Sequence, residues 1–301
     1  MFRFLPGPVK GILMCLHYGI NTIFWTIPLL IAALFKLIIP WKPWRDFCSR
    51  IILAIANIWI WMNGFAIRQY SKVQIHVTTE GNVNFDMNDW YLVIANHQSW
   101  VDILAMQDIF QGKIPFLKFF LKQELIRVPF LGLAWWALDF PFMKRYSKST
   151  IRKKPHLKGK DIETTRKACE KFKHMPISIV NYVEGTRFTE EKHARQKSQF
   201  KHLLRPRSGG IGYVMSMLGE QIHYILNLTI TYPEGKHSFW DFVTGRLEHI
   251  NIHIKSIEVT DEIRGDYIDD ANFRAKFQTW LTNEWEEKDR LLETLKSNSA
   301  A

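Results

Sequence analysis

A histidine and an aspartate lie five positions apart in a polar segment that follows an apolar run. Residues 96–102 read Asn-His-Gln-Ser-Trp-Val-Asp, so the pair is His97 and Asp102. On a regular helix five residues rotate by about 500°, or about 140° net, so the two side chains would not share a face. They can meet if His97 lies in the turn after a strand and Asp102 in the first turn of the next helix. The carboxylate would then accept a hydrogen bond from one ring nitrogen and leave the other as a base.

This pair taken alone is weak evidence for catalysis, because a histidine at a strand end more often makes a structural hydrogen bond. Two side chains, Ser99 and Cys169, offer nucleophilic atoms as alternatives. Ser99 is placed to cap the following helix, and Cys169 lies in a charged helical segment. We therefore expect a general base in this region and not a covalent nucleophile.

A second polar segment, residues 182–188, also follows an apolar strand and reads Tyr-Val-Glu-Gly-Thr-Arg-Phe. Gly185 permits a tight turn or a close backbone approach. Thr186 and Arg187 offer a hydroxyl, backbone N–H groups and a planar guanidinium. Such groups suit a phosphate monoester, since a charge-assisted hydrogen bond contributes ~1.5–3 kcal/mol. A surface turn with a solvated ion pair would be the ordinary interpretation of this segment if it stood alone.

Strands and helices alternate from residue 71 onward, which is typical of an α/β fold. Apolar or alternating runs predict strands at 73–78, 91–95, 177–183, 222–231 and 250–254. Helices are predicted at 99–110, 162–173 and 210–218, with an amphipathic helix closing the chain. We expect a mixed sheet flanked by helices. Because both polar segments directly follow strands, they can face one crevice at the carboxyl ends of those strands.

The N-terminal region predicts a hydrophobic helical hairpin. Residues 11–35 contain no Asp, Glu, Lys or Arg, and as a helix they would be ~37 Å long, enough to cross a ~30 Å hydrocarbon core. A shorter uncharged run covers residues 51–67. The bend between them, residues 40–45, contains two prolines and two tryptophans. We expect a membrane-anchoring hairpin over residues 1–70 and an α/β domain over residues 71–301.

Basic residues lie on both sides of each apolar run, which leaves the depth of insertion open. Two full spans and a hairpin that enters one leaflet are both compatible with the pattern. A buried helix pair in a soluble protein is the third interpretation. A cleaved signal peptide is disfavoured, because the first run exceeds the ~7–15 residues of a signal-peptide core.

Composition limits the function classes. The chain has 301 residues, of which 47% are hydrophobic, so it is not disordered. Its three cysteines lack CxxC spacing, which excludes a disulfide scaffold and a zinc ribbon, and we expect no metal. The formal net charge is +11, with basic residues concentrated in residues 1–70 and 144–173. The basic residues of 144–173 could attract the rest of the protein to anionic lipid, at about 1 kcal/mol per charge. They could instead bind an acidic partner or substrate, or simply form a solvated face.

The two polar segments together resemble the glycerolipid acyltransferases, specifically the 1-acylglycerol-3-phosphate (lysophosphatidate) acyltransferases. The resemblance covers about residues 91–233 and includes the N-terminal hairpin. Asn-His-x-x-x-x-Asp is followed along the chain by Glu-Gly-Thr-Arg-Phe-Thr, which resembles the subfamily with Phe after the arginine. Val183 stands where many members have proline, which leaves the acceptor head group open.

This resemblance implies direct acyl transfer. His97, oriented by Asp102, would remove the proton from the free sn-2 hydroxyl of a lysophosphatidate, which attacks the thioester of an acyl-CoA or an acyl carrier protein to give phosphatidate. General-base catalysis of this kind is worth ~10²–10⁴-fold. Arg187 would hold the acceptor phosphate by charge, and Glu184 would orient the loop. No cofactor is implied, since the acyl donor is a substrate.

A middle block of the family corresponds to residues 116–132. Lys118 and Lys122 are four residues apart, so on a helix they would share a face. The resemblance implies that they lie near the acceptor phosphate together with Gly185 and Thr186. For both lysines, simple exposure to solvent is an equally good interpretation.

Three other functions remain open on the residues. The acceptor could be another lysophospholipid. A membrane thioesterase or lipid hydrolase could use the same base to activate water, although water needs no phosphate clamp. A noncatalytic protein that binds lipid or nucleic acid is suggested only by the basic charge, and we expect no nucleic-acid partner. We expect a membrane location, with the catalytic domain on the cytoplasmic side of a bacterial inner membrane.

Overall fold

The structure, a computed structural model, begins with two long helices that pack against each other. They are α1, Gly7–Ile38, and α2, Lys42–Tyr70. Both are long and apolar enough to cross a membrane by length and composition. Asn21 of α1 donates hydrogen bonds to the carbonyl of Trp59 and the side chain of Asn63, which fixes the register of the pair. The structure describes residues 4–143, 152–153, 160–173, 175–235 and 238–300.

A six-stranded sheet forms the centre of the remaining chain, in the order β1-β8-β7-β2-β6-β3. Only the β7–β8 pairing is antiparallel within this sheet, so it is the mixed sheet that the sequence predicted. Two short strands, β4 and β5, pair separately. The strands are β1 Gln74–Glu80, β2 Trp90–Ala95, β3 Leu117–Phe119, β4 Leu121–Lys122, β5 Phe142–Met143, β6 Ser178–Tyr182, β7 Ile222–Thr231 and β8 His249–Glu258.

Helices cover both faces of the sheet. One core lies between the sheet, the hairpin and α3, and the other lies between the sheet and helices α5, α7 and α9. Residues 91–95 of β2 are fully buried because β2 is central and covered on both faces, which explains its continuous apolar run. The helices are α3 Val101–Phe110, α4 Leu131–Ala137, α5 Lys160–Phe172, α6 Glu190–Gln196, α7 Gly209–Leu218, α8 Phe239–Thr244 and α9 Ala271–Ala300, with a 3₁₀ helix at Gln123–Arg127.

The longer elements match the sequence predictions, and the short ones were missed. The strand predicted at 222–231 has those bounds, and the amphipathic closing helix is α9. Strands β3 to β5 and helices α4, α6 and α8 contain two to seven residues each and were not predicted. Of the basic segment 144–173, only 152–153 and 160–173 belong to the described residues.

The hairpin lies along the body of the molecule. Near the start of α1, Gly11 is so close to α8 that a Cβ atom there would come within 3.0 Å of the Trp240 ring. Near the end of α1, Lys36 Nζ lies 2.6 Å from Asp139 Oδ2, just after α4. Helix α1 therefore contacts the body at both of its ends, and α2 contacts α3.

Candidate active site

His97 lies in the turn between β2 and α3, and Asp102 lies in the first turn of α3. The ring Nδ1 is 2.8 Å from Asp102 Oδ2. The sequence predicted this arrangement, because only a turn followed by a helix start lets residues five apart meet. Since Asp102 is fully buried and the His97 side chain is 11% exposed, the acid is shielded while the ring keeps access to the surface.

The carboxylate of Asp102 accepts hydrogen bonds on both oxygens. Oδ2 accepts from the backbone N–H groups of Gln98 and Ser99 at 2.7 and 3.0 Å. Oδ1 accepts from the hydroxyl of Tyr232, whose pKa is raised well above its usual value by burial and by the Asp102 charge. An acceptor so surrounded by donors requires Nδ1 of His97 to donate as well, so Nε2 carries the free lone pair of the neutral ring. This is the geometry of a general base.

The ring of Tyr182, at the end of β6, holds the imidazole from one side. The two ring centroids are 3.9 Å apart with an interplanar angle of 14°. Phe119 of β3 stacks on the tyrosine at 6.1 Å. The Tyr182 hydroxyl is buried without a hydrogen-bond partner in the described part of the chain, and burial raises its pKa well above the usual value. The tyrosine therefore contributes its ring to the site.

Glu184 joins the His97 turn to the chain that follows α6. Its carboxylate is fully buried and accepts from the backbone N–H of His97 at 2.9 Å and of Leu204 at 2.8 Å. The N–H of Phe188 also donates to the carbonyl of His97 at 2.8 Å. Gly185 has φ +72°, which a side chain would disfavour, so the tight turn after Glu184 requires glycine. Glu184 thus holds the turn that contains His97, and its carboxylate is buried in the protein.

The C-terminal helix α9 supports Glu184 by charge. Lys288 is buried, and its ammonium donates to the carbonyl of Leu228 in β7. Burial lowers the pKa of Lys288 to about 7, and the negative charge of Glu184 opposes this shift. Burial raises the pKa of Glu184 to about 7, and the two backbone hydrogen bonds and the Lys288 charge oppose it.

A second link runs from α9 to the segment that precedes Leu204. Asp289 accepts from the backbone N–H groups of Lys201 and His202 at 2.7 and 2.8 Å. Glu293 accepts from the side chains of the same two residues. These contacts of α9 could not be predicted from the sequence, because they join residues about ninety positions apart.

Arg187 is exposed beside the His97 turn. Its guanidinium carbon lies 4.8 Å from the centroid of the Trp100 ring. Lys192 of α6, which the sequence analysis missed, donates to Thr186 Oγ1 and to the carbonyl of Arg187, both at 2.9 Å. Thr189 caps α6 by accepting from the N–H of Lys192 at 3.2 Å. The Thr-x-x-Lys spacing after the arginine was the available signal for this lysine.

The two lysines of the middle block lie in separate strands, so the helical face considered for them is wrong. Lys118 is in β3 with its Nζ 4.7 Å from the centre of the Phe172 ring in α5. Its neighbour Phe119 contacts Tyr182, and since side chains alternate along a strand, Lys118 points away from the His97 side. Lys122 is exposed in β4. Phosphate binding by either lysine stays a prediction.

The alternative nucleophiles are poorly placed. The hydroxyl of Ser99 accepts from the N–H of Val101 at 3.2 Å at the start of α3. Cys169 is buried in α5, and burial raises the pKa of its thiol to about 12, so little thiolate forms at neutral pH. Among the described residues there is no group of three or more His, Cys, Asp or Glu side chains that could hold a metal ion.

The fold and the site together define a class of protein. The turn that contains His97 follows β2. The loop that contains Glu184 to Arg187, here called the Arg187 loop, follows β6, and β2 and β6 are neighbouring parallel strands. A carboxylate-oriented base beside an exposed arginine, at the carboxyl ends of such strands, suits an enzyme that activates a hydroxyl near an anionic group.

Comparison with known proteins shows what the chain is similar to. A model described as Acyltransferase matches residues 74–218. The chain is 24% identical to the probable 1-acyl-sn-glycerol-3-phosphate acyltransferase 5 of Arabidopsis thaliana, over 89% of this chain and 72% of that one. It is 24% identical to the human 1-acyl-sn-glycerol-3-phosphate acyltransferase delta, over 67% of this chain and 52% of that one.

The chain is also similar to a yeast enzyme and to a solved structure. The chain is 27% identical to the 2-acyl-1-lysophosphatidylinositol acyltransferase of Saccharomyces cerevisiae, over 67% of this chain and 60% of that one. It thus spans a little over half the length of the human and yeast relatives. The crystal structure of the 1-acyl-sn-glycerophosphate acyltransferase of Thermotoga maritima aligns with a TM-score of 0.54 at 14% identity, over 95% of this chain and 98% of that one. This last match shows the fold.

Proposed function

We propose that this protein transfers a fatty acyl group from an acyl thioester to the free sn-2 hydroxyl of 1-acylglycerol-3-phosphate and so makes phosphatidate. The observation that carries the proposal is the position of the Arg187 guanidinium beside the turn that holds His97 and Asp102. The names of the plant and human relatives support the same acceptor.

In the reaction, Nε2 of His97 removes the proton of the acceptor hydroxyl while the oxygen attacks the thioester carbonyl. The tetrahedral intermediate collapses with loss of the thiolate, which takes the proton from the imidazolium and leaves as a thiol. Asp102 stabilises the imidazolium that forms between these steps. The turn is held by Glu184 and Phe188 before substrate binds, so little reorganisation is needed when charge develops.

Arg187 provides the contact for the acceptor phosphate. Its guanidinium can donate two parallel hydrogen bonds to phosphate oxygens. The ammonium of Lys192 lies next to the Arg187 carbonyl and adds positive charge to the loop. Gly185 and Thr186 give this loop its shape. Lys118 lies in β3 and Lys122 in β4.

The hairpin attaches the enzyme to the membrane that contains its substrate. We favour insertion of residues 1–70 into one leaflet, because α1 contacts the body at both ends through Gly11 and Lys36. A helix that crossed the bilayer would have its ends on opposite sides of the membrane. With residues 71–301 as the catalytic domain, we place that domain on the cytoplasmic side of a bacterial inner membrane, where acyl-CoA and acyl carrier protein are available.

A second candidate acceptor is another lysophospholipid, which is favoured by the name of the yeast relative. Both candidates use the same base and differ only in what the head group carries beyond its phosphate. Hydrolysis of the thioester is the remaining alternative, and it does not need Arg187.

The test crosses labelled acyl-CoA and labelled acyl carrier protein with lysophosphatidate, lysophosphatidylinositol or no acceptor, using the full chain in phospholipid vesicles. We expect labelled phosphatidate from lysophosphatidate with one or both donors. Lysophosphatidylinositol as the better acceptor would support the second candidate. Free fatty acid in the absence of any acceptor, at a rate matching the transfer rate, would overturn the proposal in favour of hydrolysis.

A further inference from the structure

Helix α4 presents three large apolar side chains to the surface. Phe130, which caps the helix, is 43% exposed, Leu133 is 48% exposed and Trp136 is 44% exposed. They are three residues apart, so they fall within a sector of about 120° around the helix axis. One short helix with a contiguous apolar face of this kind marks an interaction surface.

The rest of α4 is fixed against the protein, so the exposed face is held in place. Gly132 is buried and so close to the carbonyl of Ile126 that no side chain fits there. Ala134 and Ala137 are also buried, so the small residues of α4 pack against the protein while the three large ones remain exposed. Phe130 itself has φ +59°, a conformation that bulky residues rarely adopt. The chain therefore accepts backbone strain at the residue that begins the exposed face.

The exposed face of α4 lies beside exposed apolar residues at the end of α1. Helix α4 packs on α1. Trp136 lines the same cavity as Ala33 and Leu37 of α1, a cavity that the charged side chains of Lys36, Arg45, Asp139 and Lys167 also line. Leu37 and its neighbour Ile38 are more than half exposed. No charged side chain interrupts the three exposed positions of α4, while the basic side chain of Arg127 lies exposed just before it.

We propose that α4 is a third membrane-contacting element, and that Phe130, Leu133 and Trp136 enter the leaflet that receives the hairpin. This inference rests on the membrane attachment of the hairpin under the proposed function. The indole of Trp136 suits the interface between head groups and acyl chains, and Arg127 suits anionic head groups. Since β3, which precedes α4, carries the Phe119 that stacks beside His97 through Tyr182, insertion of α4 would fix the height of the catalytic turn above the lipid.

The test places a single reactive cysteine on this face in the full chain. Cys48 and Cys169 are buried, so a Cys15→Ser background leaves little native labelling. An environment-sensitive fluorophore is attached to Leu133→Cys, with Trp136→Cys as a second position should the first variant fail to fold. Ile23→Cys on the exposed side of α1 is the positive control, and Met87→Cys, exposed between β1 and β2, is the negative control.

The labelled proteins are reconstituted in vesicles of phosphatidylcholine and phosphatidylglycerol. We expect the label at position 133 to shift its emission to shorter wavelength and to be quenched by spin labels on the acyl chains but not by aqueous iodide, as at position 23. The label at position 87 should behave in the opposite way. If iodide quenches the label at position 133 while spin-labelled lipid quenches the label at position 23, α4 does not enter the membrane although the hairpin does. This result would overturn the inference.

The remaining outcomes separate this inference from the proposed function. Iodide quenching at both 133 and 23 would refute the hairpin attachment itself. A shift at 133 that depends on protein concentration and not on lipid would assign the face to a second copy of the chain. If the wild-type protein shows no acyl transfer while the label at position 133 is quenched by lipid, the proposed activity is contradicted and the membrane-contacting surface is not.

Discussion

The His97 turn and the Arg187 loop leave neighbouring strands, but the structure treats them in opposite ways. In the turn, the carboxylate of Asp102 and the backbone of His97 are buried and hydrogen-bonded to the protein. In the loop, the guanidinium of Arg187 is exposed and rests on the ring of Trp100. The first arrangement holds a reacting group in one geometry, and the second leaves a charged group available to a ligand. We infer that chemistry is assigned to the turn and binding to the loop.

Glu184 shows that this division does not follow the motif boundaries. It lies only three residues before Arg187, yet its carboxylate belongs to the turn, because it accepts from the backbone N–H of His97. The conformation of Gly185 allows the chain to pass from the buried acid to the exposed arginine. Within the Glu-Gly-Thr-Arg segment, the acid therefore supports the His97 turn, and the arginine is the residue that we propose binds the acceptor phosphate.

The largest expected effect is from His97→Ala. Loss of the base should lower kcat by about 10²–10⁴-fold, while KM for lysophosphatidate changes little because Arg187 remains. The measurement is steady-state acyl transfer in vesicles. His223→Ala is the matched control, since His223 is an exposed histidine paired with Asp89 outside the site. Transfer within tenfold of the wild-type rate would remove His97 from the mechanism.

Asp102→Asn should come next, with kcat lowered by about 10²-fold or more. The amide keeps the shape of the side chain but loses the charge that stabilises the imidazolium. It also brings an NH₂ group toward the backbone donors of Gln98 and Ser99. Rapid kinetics and thermal unfolding of the same sample separate the two effects. A variant that is fully folded and fully active would show that the acid does not orient the base.

The pairing of His97 with Asp102 could be predicted from the sequence, because it is local and depends only on where a strand ends and a helix begins. The support for Glu184 could not, because Leu204 and the residues of α9 approach it through tertiary packing that leaves no spacing pattern. The helical face considered for the lysines of residues 116–132 was wrong for another reason. Strands β3 and β4 have three and two residues, too few for a periodicity, so Lys118 and Lys122 were placed on a helix.

Arg187→Ala tests the role of the Arg187 loop in binding. It should raise KM for lysophosphatidate by about 10–100-fold, since a charge-assisted hydrogen bond is worth ~1.5–3 kcal/mol. We expect kcat to stay within a few-fold of wild type. Arg187→Lys keeps the charge but not the planar fork, so it should recover only part of the affinity. Arg195→Ala, at an exposed arginine of α6, is the control. A fall in kcat equal to that of His97→Ala would break the proposed division between turn and loop.

Lys288→Met should alter the pH dependence more than the maximal rate. The Lys288 charge lowers the pKa of Glu184, which burial raises to about 7, so removing that charge raises the pKa of Glu184 further. At a given pH near neutrality more of Glu184 is then protonated and fewer molecules hold the His97 turn through a carboxylate. The acidic limb of the pH–kcat profile should move to higher pH, with a loss of at most about tenfold at pH 7.

The control for this profile is Lys276→Met, at an exposed lysine of the same helix. It should leave the acidic limb unchanged. A limb that moves to lower pH in Lys288→Met, or that moves equally in both variants, would show that the charge on α9 does not act through Glu184.

The smallest change in kcat is expected from Tyr182→Phe, which we compare with Tyr232→Phe because both tyrosines contact the His97–Asp102 pair. The hydroxyl of Tyr182 is buried without a partner among the residues that the structure describes, so Tyr182→Phe keeps the stacked ring and removes an unsatisfied polar atom. We expect kcat within a few-fold of wild type and a free energy of unfolding that is unchanged or higher by about 1 kcal/mol. Tyr232→Phe is its matched counterpart, because that hydroxyl donates to Asp102. It should cost ~1–3 kcal/mol and lower kcat.

Urea unfolding and acyl transfer on the two variants therefore give a direct contrast between a ring that supports the base and a hydroxyl that supports the acid. If Tyr182→Phe instead lowers kcat tenfold without loss of stability, the Tyr182 hydroxyl acts during turnover, and contact with the reacting carbonyl becomes the hypothesis to test. In that case Tyr182, at the end of β6, would be a candidate donor to the oxygen that develops charge in the intermediate.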